Sequence, residues 1–153
     1  FARDGELVPI SLLKVSAPPV AERIISSQTA AQVRAMLETV VQPGGTAPRA
    51  QIMGYRVGGK TGTAWKHTGR GYDRSKYRAS FIGLAPMSNP RIIVAVSVDE
   101  PTVGNRYGGG AAGPVFSQIV GGTLRALNVP PDSPVRQLVM SPEVPEEPVG
   151  GLQ

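Results

Sequence analysis

Lys60, Thr61 and Thr63 stand in a run that reads Val57-Gly58-Gly59-Lys60-Thr61-Gly62-Thr63-Ala64. From Gly58 to Thr63 it offers one ammonium, two hydroxyls and bare backbone, a composition suited to an anionic ligand rather than to a packed core. Read as a strand over residues 55 to 66, the run alternates sides, so Thr61 and Thr63 share one face and Lys60 and Gly62 the other. Glycine inside a strand weakens it and marks a place where another backbone or a ligand comes close. An extended peptide laid along this edge would pair main chain to main chain while the hydroxyls and the ammonium meet its carboxylate. A solvated glycine-rich hairpin is the plain alternative for a bare Lys-Thr-Gly tripeptide.

Two other patterns compete for the chemistry. Gly54 to Thr61 matches the phosphate-loop pattern G-x-x-x-x-G-K-[ST], which needs a helix opening at the Lys. Thr61 to Gly71 shows no helical spacing of apolar residues, so nucleotide binding is set aside. Ser11-Leu12-Leu13-Lys14 matches the S-x-x-K pattern of serine acyl-transfer enzymes. Holding Lys at i+3 against the Ser hydroxyl requires a helix, and Pro9, Pro18 and Pro19 leave too few residues for one. Ser11 is therefore expected in a strand or loop and not as a nucleophile. His67, the only His, reads as a loop residue and not as a catalytic base.

These groups need elements to position them. The chain has 153 residues, is 41% apolar and has a mean hydropathy of −0.06, which fits one globular domain. It opens on Phe1-Ala2-Arg3-Asp4-Gly5 without Met and is expected to be the C-terminal piece of a longer protein, with any targeting segment upstream. Cysteine is absent, which excludes disulfides and thiolate metal sites. The longest apolar run, Ile92 to Val98, is too short to span a membrane. Net charge is +5, with seven Lys/Arg against the single Asp73 in residues 56 to 78 and four acids against Arg136 in residues 132 to 153. A basic loop carrying Trp65, Tyr72 and Tyr77 has the ingredients of a single-strand nucleic-acid grip, but no nucleic-acid fold accompanies it. Attraction of an acidic substrate is the simpler use.

In chain order, a turn at Asp4-Gly5 leads to an extended run from Leu7 to Val15. A helix is expected over residues 27 to 41, with Val33, Met36, Leu37, Val40 and Val41 as its core stripe and Thr29 with Gln32, or Ser27, as its cap. Pro43-Gly44-Gly45 stops it. Residues 65 to 78 read as a basic loop, followed by an antiparallel hairpin of Ala79 to Ala85 and Arg91 to Val98 around Pro86 to Pro90. Ile92 to Val96 lacks polar alternation and is expected to be covered on both faces. After the glycine-rich residues 102 to 113, Pro114 opens a helix with Val115, Phe116, Ile119, Val120, Leu124 and Leu127 at helical spacing. Gly121-Gly122 implies close packing against a sheet. Residues 1–131 are expected to form the domain part, and 132–153, acidic and proline-rich, are expected to form a disordered tail.

Taken together, several runs resemble one family. They are Gly44-Gly45-Thr46-Ala47, Gly54-Tyr55, Gly59 to Ala64, Ser80 to Pro86, Asp99-Glu100-Pro101, Tyr107-Gly108-Gly109 and Pro114-Val115-Phe116. The combination resembles the C-terminal half of a class B penicillin-binding protein transpeptidase domain, over about residues 1 to 132. The closing run Leu124 to Asp132 is similar to the division-specific members. The resemblance implies an α/β (α+β) fold of the penicillin-binding protein/β-lactamase type: an antiparallel sheet flanked by helices, with the Lys60 strand lining the cleft.

It further implies a serine D,D-transpeptidase that cross-links peptidoglycan at the septum. A serine would attack the D-Ala-D-Ala bond of a stem peptide, and an amine of a neighbouring strand would take the acyl group. β-Lactams would act as covalent inhibitors. Of the three motifs that build such a site, S-x-x-K, S-x-N and K-T-G, only the last is present, so this piece alone is expected to be inactive. By the match, Lys60 shapes the positive field, the hydroxyls of Thr61 and Thr63 hold the substrate carboxylate, the N–H of Thr63 donates to the oxyanion and Gly62 keeps the edge bare. Tyr107 matches an aromatic beside the cleft, although Arg106 stands where the family often has a second aromatic. The resemblance implies no cofactor, no metal and no nucleic acid. Its partners are stem peptides and other division proteins, on the periplasmic side of a bacterial inner membrane reached through an anchor upstream. A D,D-carboxypeptidase or β-lactamase relative, or a non-catalytic β-lactam-binding sensor, shares the same fold.

Overall fold

Three extended stretches separated by turns close into one antiparallel sheet in the computed structural model, which describes residues 1–17, 19–102 and 104–134. Strands β3 (Gly58–His67), β4 (Tyr72–Ala85) and β5 (Ile92–Asp99) lie in the order β3-β4-β5, so β4 is central and β3 is an edge. The register pairs Thr61 with Phe81 and Phe81 with Val96, which puts these three residues on one face. Upstream lie a two-stranded ribbon, β1 (Glu6–Leu7) with β2 (Glu22–Arg23), and helix α1 (Ser27–Thr39). A 3-10 turn (Pro48–Ala50) precedes β3, and one π-helical turn (Gly108–Ala112) runs directly into helix α2 (Gly113–Ala126).

Helix α2 covers the Phe81 face of the sheet. Phe116 meets Phe81 edge to face, with ring centroids 4.9 Å apart and planes at 77°, and both side chains are fully buried. Burying such a ring is worth about 1.5–3 kcal/mol, and the aromatic pairing adds roughly 0.5–1.5 kcal/mol. Gly83 makes the fit possible, because a Cβ built there would lie 2.6 Å from the Phe116 ring. Val120 and Leu124 continue the buried row, joined by Val41, Ile52, Tyr55, Val57 and Val129. The exit of α2 is clamped to the entry of β3. Tyr55 hydroxyl donates to Val129 O at 2.7 Å, and the Asp132 carboxylate accepts from the N–H groups of Arg56 at 2.7 Å and Ser88 at 3.0 Å.

Several expectations need correcting. The cap of α1 is Ser26, whose hydroxyl accepts from Thr29 N–H, and the helix ends at Thr39 rather than at residue 41. Met36, placed in the core stripe, is 66% exposed, because nothing among the described residues covers that side of α1. The extended run 7 to 15 is strand only at Leu7, and residues 65 to 78 are mostly strand, since the β3–β4 ladder continues to His67 and Tyr72 through a bulge after Trp65. Strand β5 is covered on one face only: Val96 is buried, while Ile93 and its neighbour on β4, Ile82, are exposed. On α2 Val115 and Ile119, and at its C-cap Leu127, are also exposed, so the buried stripe is narrower than its spacing suggests. Gly121 packs close to Ile52 rather than to the sheet, and Gly122 faces open space. Asp132, assigned to the tail, is docked as described; residues 135–153 lie outside the described residues.

Candidate active site

The alternation expected of β3 places its chemistry on two sides. Thr61 and Thr63 are buried, at 5% and 8% exposure, and Lys60 is exposed on the opposite side with Gly62. The Lys60 ammonium folds back to donate to Thr61 O at 2.9 Å. Thus the structure brings the two hydroxyls together on one face and leaves the ammonium on the other, with the edge of the strand, which no other strand among the described residues pairs, between them.

What surrounds the hydroxyls comes from two distant segments. After α1, Ala47 N–H donates to Val40 O and Gly45 N–H to Gln42 O, both at 2.8 Å, folding the loop back so that the Thr46 hydroxyl lies 3.1 Å from that of Thr61. From the other direction, Gly108 N–H donates to the Thr63 hydroxyl at 3.2 Å. Gly108 seats on the main chain of the sheet, because a Cβ built there would lie 2.6 Å from Ser80 O and 2.8 Å from Gly62 O. Tyr107, just before it, stacks on Tyr77 with ring centroids 5.8 Å apart and planes at 15°, which puts it on the Thr63 side of the sheet. Ser80, across the ladder from Gly62, donates its hydroxyl to Gly62 O at 3.2 Å.

The sequence reading missed Thr46 and Ser80 as neighbours of the motif. Each had one usable signal, its place in a run that carries the resemblance, Gly44 to Ala47 for Thr46 and Ser80 to Pro86 for Ser80. Ser11 is exposed and its hydroxyl donates to Leu13 O at 2.8 Å, in non-helical backbone as expected of residues 11 to 14. His67 is exposed on the ladder, edge-on to Tyr72.

Electrostatics around the strand are not uniform. Lys66 bridges Asp99 at 2.8 Å and Glu100 at 2.7 Å. The hydrogen bond to Asp99, then that to Glu100, raises the Lys66 ammonium above its ordinary range, and Lys66 in turn lowers the Asp99 carboxyl. Arg56 is paired with Glu38 through two bonds of 2.7 Å, which raises its guanidinium. The indole N–H of Trp65 is buried without an acceptor among the described residues.

An edge strand with paired hydroxyls, an ammonium and bare backbone can hold the main chain and the carboxylate of an extended peptide. Residues 1–121 match the family described as penicillin binding protein transpeptidase domain. The chain is 46% identical over 133 residues to a probable peptidoglycan D,D-transpeptidase, PbpC of Pseudomonas aeruginosa, covering 87% of this chain and 24% of that protein. It is 42% identical over 125 residues to the peptidoglycan D,D-transpeptidase FtsI of Escherichia coli, covering 82% of this chain and 21% of that one. Among solved structures, the apo TP domain of penicillin-binding protein 3 from Burkholderia pseudomallei is similar at a TM-score of 0.78 and 63% identity, over 87% of this chain and 41% of that one. The chain spans about a quarter of the length of these curated relatives. It belongs to the penicillin-binding protein transpeptidase domain family.

Proposed function

We propose that the protein carrying this chain is a serine D,D-transpeptidase that cross-links peptidoglycan stem peptides, and that β3 is the strand on which the donor peptide lies. The observation that carries this reading is the free edge of β3 with Thr61 and Thr63 buried beside it and Thr63 tied to the turn that opens α2. The nucleophilic serine and its Lys belong to the part of the domain outside this chain. That serine attacks the penultimate D-Ala carbonyl, the terminal D-Ala leaves with a proton, and an amine of a neighbouring strand then displaces the serine.

In that sequence the residues of β3 bind and polarise. The hydroxyls of Thr61 and Thr63 donate to the terminal carboxylate, and Lys60 supplies positive charge from the far side of the edge. The N–H of Thr63 donates to the oxyanion, Gly62 lets the peptide approach, and Tyr107 lines the cleft. β-Lactams acylate the same serine. The similarity to FtsI supports a role in division with other division proteins, on the periplasmic side of the inner membrane.

The test is the acylation rate of the complete protein by one β-lactam. Removing a hydrogen bond to a charged group costs about 1.5–3 kcal/mol, so Thr63→Val is expected to slow acylation roughly ten- to a hundredfold, while Thr63→Ser stays near wild type. Thr63→Pro also deletes the oxyanion donor, worth about 10²–10³ in rate, and is expected to be slower still in a variant shown to be folded. Lys60→Met is expected to be severely impaired. Wild-type rates in both Lys60→Met and Thr63→Val would remove β3 from the active site.

A further inference from the structure

Cross-linking replaces a small group by a large one at the same carbon. The group that leaves the donor is a single D-Ala, whereas the group that arrives is an amine carried by the stem peptide of a neighbouring strand. The amine nitrogen bonds to the acyl carbon, the ester bond to the serine breaks, and the proton of the amine goes to the serine oxygen. By microscopic reversibility the amine reaches that carbon from the side on which D-Ala left. Room for the rest of the acceptor must therefore lie next to the place of the leaving D-Ala. With the oxyanion at Thr63 N–H and the acid of D-Ala shared by the hydroxyls of Thr61 and Thr63, the end of the donor points toward Thr61, about 6–7 Å back along β3 from Thr63.

The two hydroxyls have different neighbours. Thr63 is bonded to Gly108 N–H, whereas the Thr61 hydroxyl lies 3.1 Å from that of Thr46. Thr46 is also one wall of an open groove of about 390 Å³ that runs through the turn Gln42 to Gly45 back to Thr39 and Val40 at the end of α1. One end of this groove is thus a single hydrogen-bond length from the acid grip. The turn that shapes it is held by Gly45 N–H on Gln42 O and Ala47 N–H on Val40 O, both at 2.8 Å, and a Cβ built at Gly45 would run into Val40 O. No charged side chain lines the groove, and the exposed Gln42 carboxamide has no partner among the described residues. An amide both donates and accepts, which suits the peptide groups of an incoming chain.

We infer that the groove between the end of α1 and Thr46 is the acceptor subsite: it takes the part of the incoming stem peptide that adjoins its amine, and Gln42 meets the amide groups of that peptide. This rests on the reading of β3 as the donor strand, and the experiment separates the two.

The complete protein is given a D-alanyl thioester donor together with one of two acceptors: D-alanine, no larger than the leaving group, or a stem tripeptide ending in meso-diaminopimelate. The ratio of transfer to hydrolysis is measured for each acceptor in wild type, Gln42→Ala, Gln42→Trp and Gly44→Asn. Gln42 is exposed, and Gly44 has φ +83° with nothing within 4 Å of a built Cβ, a conformation that Asn tolerates, so both positions accept a new side chain without repacking. Gln42→Trp, which fills the groove, is expected to lower the tripeptide ratio about tenfold relative to the D-alanine ratio, and Gln42→Ala about threefold. Gly44→Asn, which narrows the groove at another wall, is expected to act in the same direction. Equal losses with both acceptors would show that the turn only supports Thr61, and an unchanged tripeptide ratio in Gln42→Trp and Gly44→Asn would remove the subsite; either overturns the proposal. So does a wild-type protein that transfers to D-alanine and not to the tripeptide. If benzylpenicillin does not acylate the wild-type protein, the reading of β3 itself fails, and the subsite with it.

Discussion

At the residue scale, one missing methyl group places a helix. Gly83 admits the ring of Phe116, and Phe116 is what sets α2 against the strand that pairs with Thr61. Gly83→Val fills that space with nowhere for the ring to go, so it is expected to cost about 1–3 kcal/mol, read as a lowered Tm of the complete protein. Phe116→Leu in the same background should return part of the loss, a non-additivity that marks direct contact. Lys60, Thr61 and Thr63 were legible in the sequence because their types are out of place in a core. Gly83 was not, because what requires it is a ring brought in by another element. Thr46 stayed hidden for the same reason, since only the loop after α1 turns its hydroxyl toward Thr61.

Elements were legible where one chemical signal dominated. The hairpin of β4 and β5 and the start of α2 followed from apolar runs broken by proline. The outer half of the β3–β4 ladder did not, because glycines and charges between Lys66 and Arg78 read as a loop while the pairing is held by opposed aromatics, Trp65 with Tyr77, and by the bridge from Lys66 to Asp99 and Glu100. That bridge gives the ladder a pH window. The lowered Asp99 carboxyl stabilises the fold above its unfolded pKa and loses that effect as pH falls through its lower folded value. The raised Lys66 ammonium contributes below its unfolded pKa and is lost as pH rises through its higher folded value. The gap in Tm between wild type and Asp99→Asn should therefore be constant near neutral pH and close as the solution is acidified below about pH 4. A gap that does not change with acid would show that Asp99 acts through shape rather than charge.

Over the whole molecule, large apolar side chains stand open in two places. Ile82 at 54% and Ile93 at 63% lie open on one face of the sheet, and Ile10, Leu12, Leu13 and Val20 stand out on the segment between β1 and β2. The similar solved domain is more than twice as long as the stretch it shares with this chain. The sequence could not reveal which apolar positions would be left uncovered, since periodicity reports a face that wants burial and not whether a partner is present. Expressed alone, the 153-residue chain should take no covalent label from a fluorescent penicillin, whereas the complete protein should; label on Ser11 would contradict its placement here. The sheet carries a last consequence. Among the described residues no strand pairs with the outer edge of β3 or with that of β5. A unit with two sticky rims has a valence of two, so copies of the isolated chain that join rim to rim do not stop at a pair. They are expected to grow into open-ended filaments, read as light scattering that rises with concentration instead of levelling at a dimer.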